Sequence, residues 1–172
     1  MRRAKLEIVI FVGLQASGKS SFYRERFATT HLHISKDLMR NVRRKQERQM
    51  RLLADALDSG ISVVIDNTNP RREDRAPLIA AARRHRARVV AYIFESTVGE
   101  SIHRNAGRTG RTRVPEVAIH VTARRMERPS YDEGFDRIHR VWLSDREFVV
   151  RAVRHPARSR RGAGLQPRGS LR

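Results

Sequence analysis

The sequence predicts an α/β fold, a central parallel sheet with flanking helices, on three observations. Leu6–Val12 is a continuous apolar run, as a strand buried on both faces presents. Strand-like and helix-like segments then alternate, which calls for parallel strands joined by right-handed crossovers. Between the first strand and the first helix, residues 13–20 read Gly-Leu-Gln-Ala-Ser-Gly-Lys-Ser. This is G-x-x-x-x-G-K-S in the strand–loop–helix setting that a phosphate-binding loop requires. The fold is therefore expected to be of the P-loop NTPase/kinase type.

The elements follow in order. Ser20–Phe27 reads as the helix after the loop, and His31–Ile34 as a short second strand ending at Ser35, a helix N-cap type. Met39, Val42, Gln46, Met50, Leu53 and Leu57 recur at spacings of three and four, so a long helix is expected from Ser35 to Ser59-Gly60. Its outer face carries Arg43, Arg44, Arg48 and Arg51. Ile61–Ile65 is the third strand and stops at Asp66; Arg72–His85 is helical, with Pro77 limiting its first turn or kinking it. Arg88–Phe94 is the fourth strand and Thr97–Asn105 a further helix. Gly107–Val114 is a charged loop without apolar periodicity, and Pro115 starts a helix over Glu116–Met126. Phe135–Leu143 alternates and is expected to be the last strand.

Length and composition bound the rest. The 172 residues are one domain's worth, long enough to bury a core. We expect a P-loop kinase domain over residues 1–150 and a basic, disordered tail over 151–172, rich in Pro, Gly, Ser and Arg. With no cysteine, disulfides and thiolate zinc sites are excluded. Leu6–Val12 is too short to span a bilayer and carries Glu7, so a soluble cytoplasmic protein without a membrane partner is expected. Net charge is +19, of which the seven tail arginines supply seven and residues 1–150 the remaining twelve. Such a field attracts polyanions, nucleic acid above all. Only four of the basic residues are Lys, so codon bias toward Arg competes as an explanation.

The residues that carry chemistry sit where the strands end, which is where an open parallel sheet places its ligand crevice. In the loop, the backbone around Gly13, Ala16, Ser17, Gly18 and Ser21 would cradle the phosphates of ATP. Lys19 would reach the β- and γ-phosphates, and the Ser20 hydroxyl would ligate Mg²⁺. Asp66, ending an apolar strand, holds the position of the acid that supports that metal, although turn chemistry alone also favours Asp there. Asp37 is placed to be a general base for an alcohol acceptor, with Arg40 one turn later to hold the acceptor's phosphate; as a plain alternative, Asp37 caps its helix. Gly107–Arg113 reads as a mobile lid whose arginines close over the transferring phosphoryl group, or as a solvated basic loop. His31-x-His33 lacks the further ligands a metal site needs.

Together these segments resemble the 5′-polynucleotide kinase family, the P-loop kinase domain of nucleic-acid end-healing polynucleotide kinase/phosphatase enzymes. The matching stretches are residues 13–20, Ile-Ser-Lys-Asp-Leu-Met-Arg (34–40) and Val-Ile-Asp-Asn-Thr-Asn-Pro (64–70). Arg-Asn-x-x-Arg (104–108) before Val-Pro (114–115), and Glu-Arg-Pro-Ser-Tyr-Asp-Glu-Gly-Phe (127–135), extend the match. The resemblance implies ATP-dependent phosphorylation of 5′-hydroxyl ends of DNA or RNA, with Lys19 and Ser20 holding phosphates and Mg²⁺, Asp37 as base, Arg40 as acceptor clamp, Asp66 as support and Arg108 as lid arginine. Ala16 replaces a customary glycine, so that position is expected to avoid positive φ. An additional lid residue leaves Arg108 and Arg111 as rivals, and the Asp-x-Asp-x-Thr/Val motif of a fused phosphatase is lacking. A P-loop kinase acting on a small hydroxyl compound is the other reading, and a non-catalytic nucleotide-dependent nucleic-acid binder a third. Oligomeric state is left open.

Overall fold

The computed structural model describes residues 5–156. Six strands form one sheet in the order β2-β3-β1-β4-β5-β6. β1 (Glu7–Val12), β2 (Leu32–Ile34), β3 (Val63–Ile65), β4 (Arg88–Phe94) and β5 (Arg137–Ser144) run parallel, and β6 (Glu147–Ala152) returns antiparallel along β5. β1 is central, paired with β3 and β4, and its five residues Ile8–Val12 are fully buried. Their alternation splits the core into two layers. Ile8, Ile10 and Val12 pack with Leu53, Leu57, Leu78 and Ile79, the inner faces of α2 (Lys45–Asp58) and α3 (Arg72–Arg84). Val9 and Phe11 face an aromatic layer of Phe22, Phe27 and Phe94, covered by α1 (Lys19–Arg26). Rings in that layer meet edge-on or tilted, with Phe11–Phe94 centroids 5.0 Å apart, as ring quadrupoles favour.

Four differences from the sequence reading have local causes. The long helix expected from Ser35 is broken. A 3-10 turn, Lys36–Leu38, is followed by Met39 at ψ 81° and Asn41 at φ +57°, and α2 begins only at Lys45. The apolar spacing survives the break because Met39 and Val42 still pack on the core. Arg40 is therefore not one turn beyond Asp37 on a shared helix face. Second, α3 is assigned continuously across Pro77, whose ring costs only the bond to the Glu73 carbonyl one turn in. Third, a sixth strand follows the hairpin Asp145-Arg146, both at positive φ, and runs past residue 150 to Ala152. Fourth, Ala16 adopts φ +58°, the left-handed conformation it was expected to avoid; a burial of all but 5% of its surface within the loop accompanies that strain.

The helices α4 (Val98–Ala106) and α5 (Glu116–Arg124) flank the loop Gly107–Arg113. α4 starts at a full capping box, with Thr97 and Glu100 exchanging hydrogen bonds. No helix among the described residues is long and apolar enough to cross a membrane. Most of the basic tail, from residue 157 on, lies outside the described residues.

Candidate active site

The carboxyl ends of β1, β2 and β3 open on one crevice, and the sequence explains why each loop turns there. Gly13 leaves β1 beside β4: a Cβ at that position would lie 2.8 Å from Phe94 Cβ, so only glycine fits. Gly18 caps α1 at φ +97°, and beyond it Phe148 from β6 closes over the loop. The Gly13 amide donates to the Thr68 carbonyl at 3.1 Å, and the Asn69 Nδ2 donates to the Phe11 carbonyl at 2.8 Å. The Asp-Asn-Thr-Asn-Pro segment thus ties the end of β1 to the end of β3.

Lys19 is buried, its Nζ donating to the carbonyls of Gly13 and Leu14 and to Ser17 Oγ inside the loop. Burial lowers its pKa to about 8; the nearby Arg108 charge acts in the same direction, while Asp66 and Asp37 oppose it. That balance places Asp66, Asp37 and Arg108 within electrostatic reach of one ammonium.

Ser20 Oγ donates to Asp66 Oδ2 at 2.6 Å, and His33 Nε2 meets the same oxygen at 2.9 Å. An ionised carboxylate only accepts, so His33 carries its proton on Nε2. Burial pushes the Asp66 carboxyl up, but the His33 and Ser20 hydrogen bonds and the Lys19 charge outweigh it and hold it below the ordinary carboxylate value. Asp66 is 4% exposed. A hydroxyl and a buried ionised carboxylate are hard oxygen donors suited to Mg²⁺ beside a nucleotide phosphate, one directly and one through water. They fit the ion that the loop motif implies. No cluster of three His, Cys, Asp or Glu that could hold a metal alone occurs among the described residues; His31 pairs instead with Glu7 at 3.2 Å.

His33 is a residue whose part sequence reasoning missed. It stacks on Tyr23, centroids 3.9 Å apart, and orients the Asp66 carboxylate. Its one legible signal was its place one residue before the end of β2. Asn67 stood in the 64–70 stretch without a role of its own. Its Oδ1 accepts from the Lys36 amide at 2.9 Å and its Nδ2 donates to Gln49 Oε1 at 2.7 Å, fixing the 3-10 turn that carries Asp37. Ser35 caps that turn from below, accepting from the Asp37 amide at 3.3 Å. Asp37 itself is exposed.

The remaining expected residues fall as follows. Ser17 lines the loop, and Ser21 is exposed on α1, accepting from Arg24. Arg108 donates to the Thr112 carbonyl at 3.2 Å, and Arg111 sits exposed on the 3-10 turn Gly110–Thr112. The loop's two ends are stapled by Asn105, which donates to and accepts from Val114 backbone at 2.7 and 3.0 Å. Arg104 reaches from α4 to Ser96 Oγ and to the Ala16 carbonyl. Behind the crevice, fully buried Arg75 pairs with both oxygens of Glu133 and donates to the Asn69, Pro70 and Glu127 carbonyls. This buried charge pair links residues 64–70 to residues 127–135, two of the stretches that carry the resemblance, and braces the loop after β3.

A parallel sheet in this order, with a glycine-rich loop, a lysine and a strand-end acid at one edge, defines a P-loop kinase domain, a nucleotide-binding fold. The chain belongs to the AAA domain family, which matches residues 8–129. It is similar to the bifunctional polynucleotide phosphatase/kinase of Schizosaccharomyces pombe, 28% identical over 139 residues covering 78% of this chain and 33% of that protein. It is also similar to a putative bifunctional polynucleotide phosphatase/kinase of Acanthamoeba polyphaga mimivirus, 29% identical over 144 residues, 80% of this chain and 33% of that one. The chain therefore spans about a third of the length of these curated relatives. Among solved structures, a fungal RNA kinase superposes with a TM-score of 0.63 at 17% identity, covering 83% of this chain and 39% of that one. A Sinorhizobium meliloti gluconokinase does so at 0.56 and 21% identity, over 81% and 83%. The expected resemblance to polynucleotide kinases is met in sequence, and the expected fold in structure.

Proposed function

We propose that this protein transfers the γ-phosphoryl group of ATP to the 5′-hydroxyl end of DNA or RNA. The observation that carries the reading is the joining of three loops at one crevice: Ser20 of the phosphate loop bonds Asp66 at the end of β3, and Asn67 beside it holds the turn that carries Asp37. The kinase relatives support the nucleic-acid acceptor, as does the +12 charge of residues 1–150.

In this reading the backbone of Gly13–Ser20 wraps the β-phosphate, and Lys19 leaves its carbonyl partners for the phosphate oxygens. Mg²⁺, held through Ser20 and Asp66, would neutralise charge on the β- and γ-phosphates. Asp37 takes the proton of the acceptor hydroxyl as the new O–P bond forms and the bond to ADP breaks; an exposed carboxylate accepts that proton and returns it to water. Arg108, whose charge acts on Lys19, would close over the equatorial oxygens, with Arg111 as its rival on the same loop. Arg40 would hold the phosphate next to the reacting sugar.

The test is transfer of labelled phosphate from ATP to a 5′-hydroxyl oligonucleotide with Mg²⁺. Asp37→Ala is expected to lower kcat by at least about 10² while nucleotide affinity persists. Labelling of small polyols such as gluconate, with none of the oligonucleotide, refutes the acceptor. Undiminished turnover in Asp37→Ala removes the base.

A further inference from the structure

The reaction as proposed uses one feature of the crevice only at its edge, through Arg40. Directly beyond Asp37, the break between the 3-10 turn and α2 leaves a groove of about 400 Å³. Leu38, Val42 and Leu52 form its apolar surface, Ser35 its inner end, and Arg40 and Arg48 its rim. Leu38 is 62% exposed, a large aliphatic side chain held in solvent next to the candidate base. The side chains of Arg40 and Arg48 on the rim make no salt bridge or hydrogen bond among the described residues, nor do those of Arg43, Lys45 and Arg51 along the same stretch of chain. The one acid in that stretch, Glu47, is taken by Arg44 at 3.4 Å. Some surface arginines are paired, Arg72 with Asp132, Arg83 with Asp136 and Arg140 with Glu95, whereas Arg40 and Arg48 are not. Unmatched cations around an apolar floor suit a ligand with regularly spaced anions and flat apolar faces, which is a nucleic-acid strand.

We propose that this groove is a strand-binding track for the acceptor. A single strand whose terminal hydroxyl lies at Asp37 passes over Leu38, seats the sugar or base of its following nucleotides on Val42 and Leu52, and delivers successive backbone phosphates to Arg40 and then Arg48. This inference rests on the proposed reaction and extends it from the terminal nucleotide to the next two or three. It also accounts for the break in the expected helix. A continuous helix from Ser35 would close the groove, whereas the turn at Met39–Asn41 opens it and swings Arg40 to the same rim as Arg48.

The experiment compares kcat/KM for a 3′-phosphorylated nucleoside with that for 5′-hydroxyl oligomers of two to six nucleotides. Wild-type protein is expected to gain with length up to three or four nucleotides and then level off. Arg48→Glu should lower the oligomer-to-mononucleotide ratio about tenfold or more, the worth of one charged hydrogen bond. It should also flatten the salt dependence of oligomer binding by about 0.7 per lost phosphate contact. Arg84→Glu, which changes net charge equally on the exposed side of α3, should keep the wild-type ratio. A ratio unaltered in Arg48→Glu, or lowered equally in Arg84→Glu, overturns the track and leaves the 5′-kinase reading standing. A wild-type protein that phosphorylates neither the nucleoside nor any oligomer overturns both.

Discussion

Proton uptake on nucleotide binding follows from how Lys19 is buried. In the nucleotide-free protein its ammonium is enclosed by loop carbonyls, and burial brings its pKa from the ordinary 10.5 to about 8. Phosphate oxygens arriving at Nζ stabilise the charged form, so the bound pKa must rise. At pH 8.5 about three quarters of the free protein carries a neutral lysine, and each binding event should take up about 0.75 proton. The sign follows: nucleotide affinity is complete below pH 8 and declines toward tenfold per unit above it, until the raised pKa of the complex is reached. Without nucleotide the dependence inverts. The unfolded chain keeps its proton up to 10.5 while the folded one gives it up near 8, so stability rises across that window by an amount on the order of 3 kcal/mol. Calorimetric titration with a non-hydrolysable ATP analogue at pH 8.5, in two buffers of different ionisation enthalpy, reads the uptake directly. Uptake indistinguishable from zero, or affinity flat from pH 7 to 9.5, would refute the argument; Lys19→Met should abolish whatever uptake is seen.

Further outcomes are expected at the residues that support the crevice. Asn67→Ala releases the 3-10 turn from both Lys36 and Gln49, and kcat should fall about tenfold or more with nucleotide affinity within twofold; equal losses in both would mean a general loss of fold. Arg75→Met strands Glu133, 3% exposed, as an unpaired buried charge and should cost about 3–5 kcal/mol in urea unfolding. Adding Glu133→Leu should recover only part of that, because the carbonyls of Asn69 and Glu127 still lack a donor; full recovery would show that the carbonyl bonds contribute nothing.

Much of the fold was legible because its signals are local. Leu6–Val12 and Arg88–Phe94 are apolar strands that need no context, and the phosphate loop carries its geometry in two glycines and a lysine. The antiparallel β6 was not legible. Its Glu-Phe-Val-Val-Arg-Ala pattern is half-exposed, and its hairpin turns on Asp145-Arg146, residues that carry no glycine signal for positive φ. The helix break at Met39–Asn41 escaped for another reason: apolar residues kept helical spacing on both sides of it. Ala16 escaped because the tertiary fit of the loop overrode a backbone preference of about 1–2 kcal/mol.

What the chain determined by itself was the inventory: a strand–loop–helix phosphate cradle, acids at strand ends, and an excess of arginine. Those follow from residue type and spacing along the backbone, which is how a glycine permits a turn or an apolar run buries a strand. Which groups share an electric field was decided only by the tertiary structure. Asp66 gathers Ser20 and His33 on one oxygen, Lys19 feels Asp37 and Arg108, and Arg48 joins Arg40 at one rim. Each pairing joins different loops or helices, brought together by sheet order and by buried contacts such as Arg75–Glu133. Coulomb energy and hydrogen bonding depend on distance in space, and sequence separation says nothing about that distance until the sheet has closed.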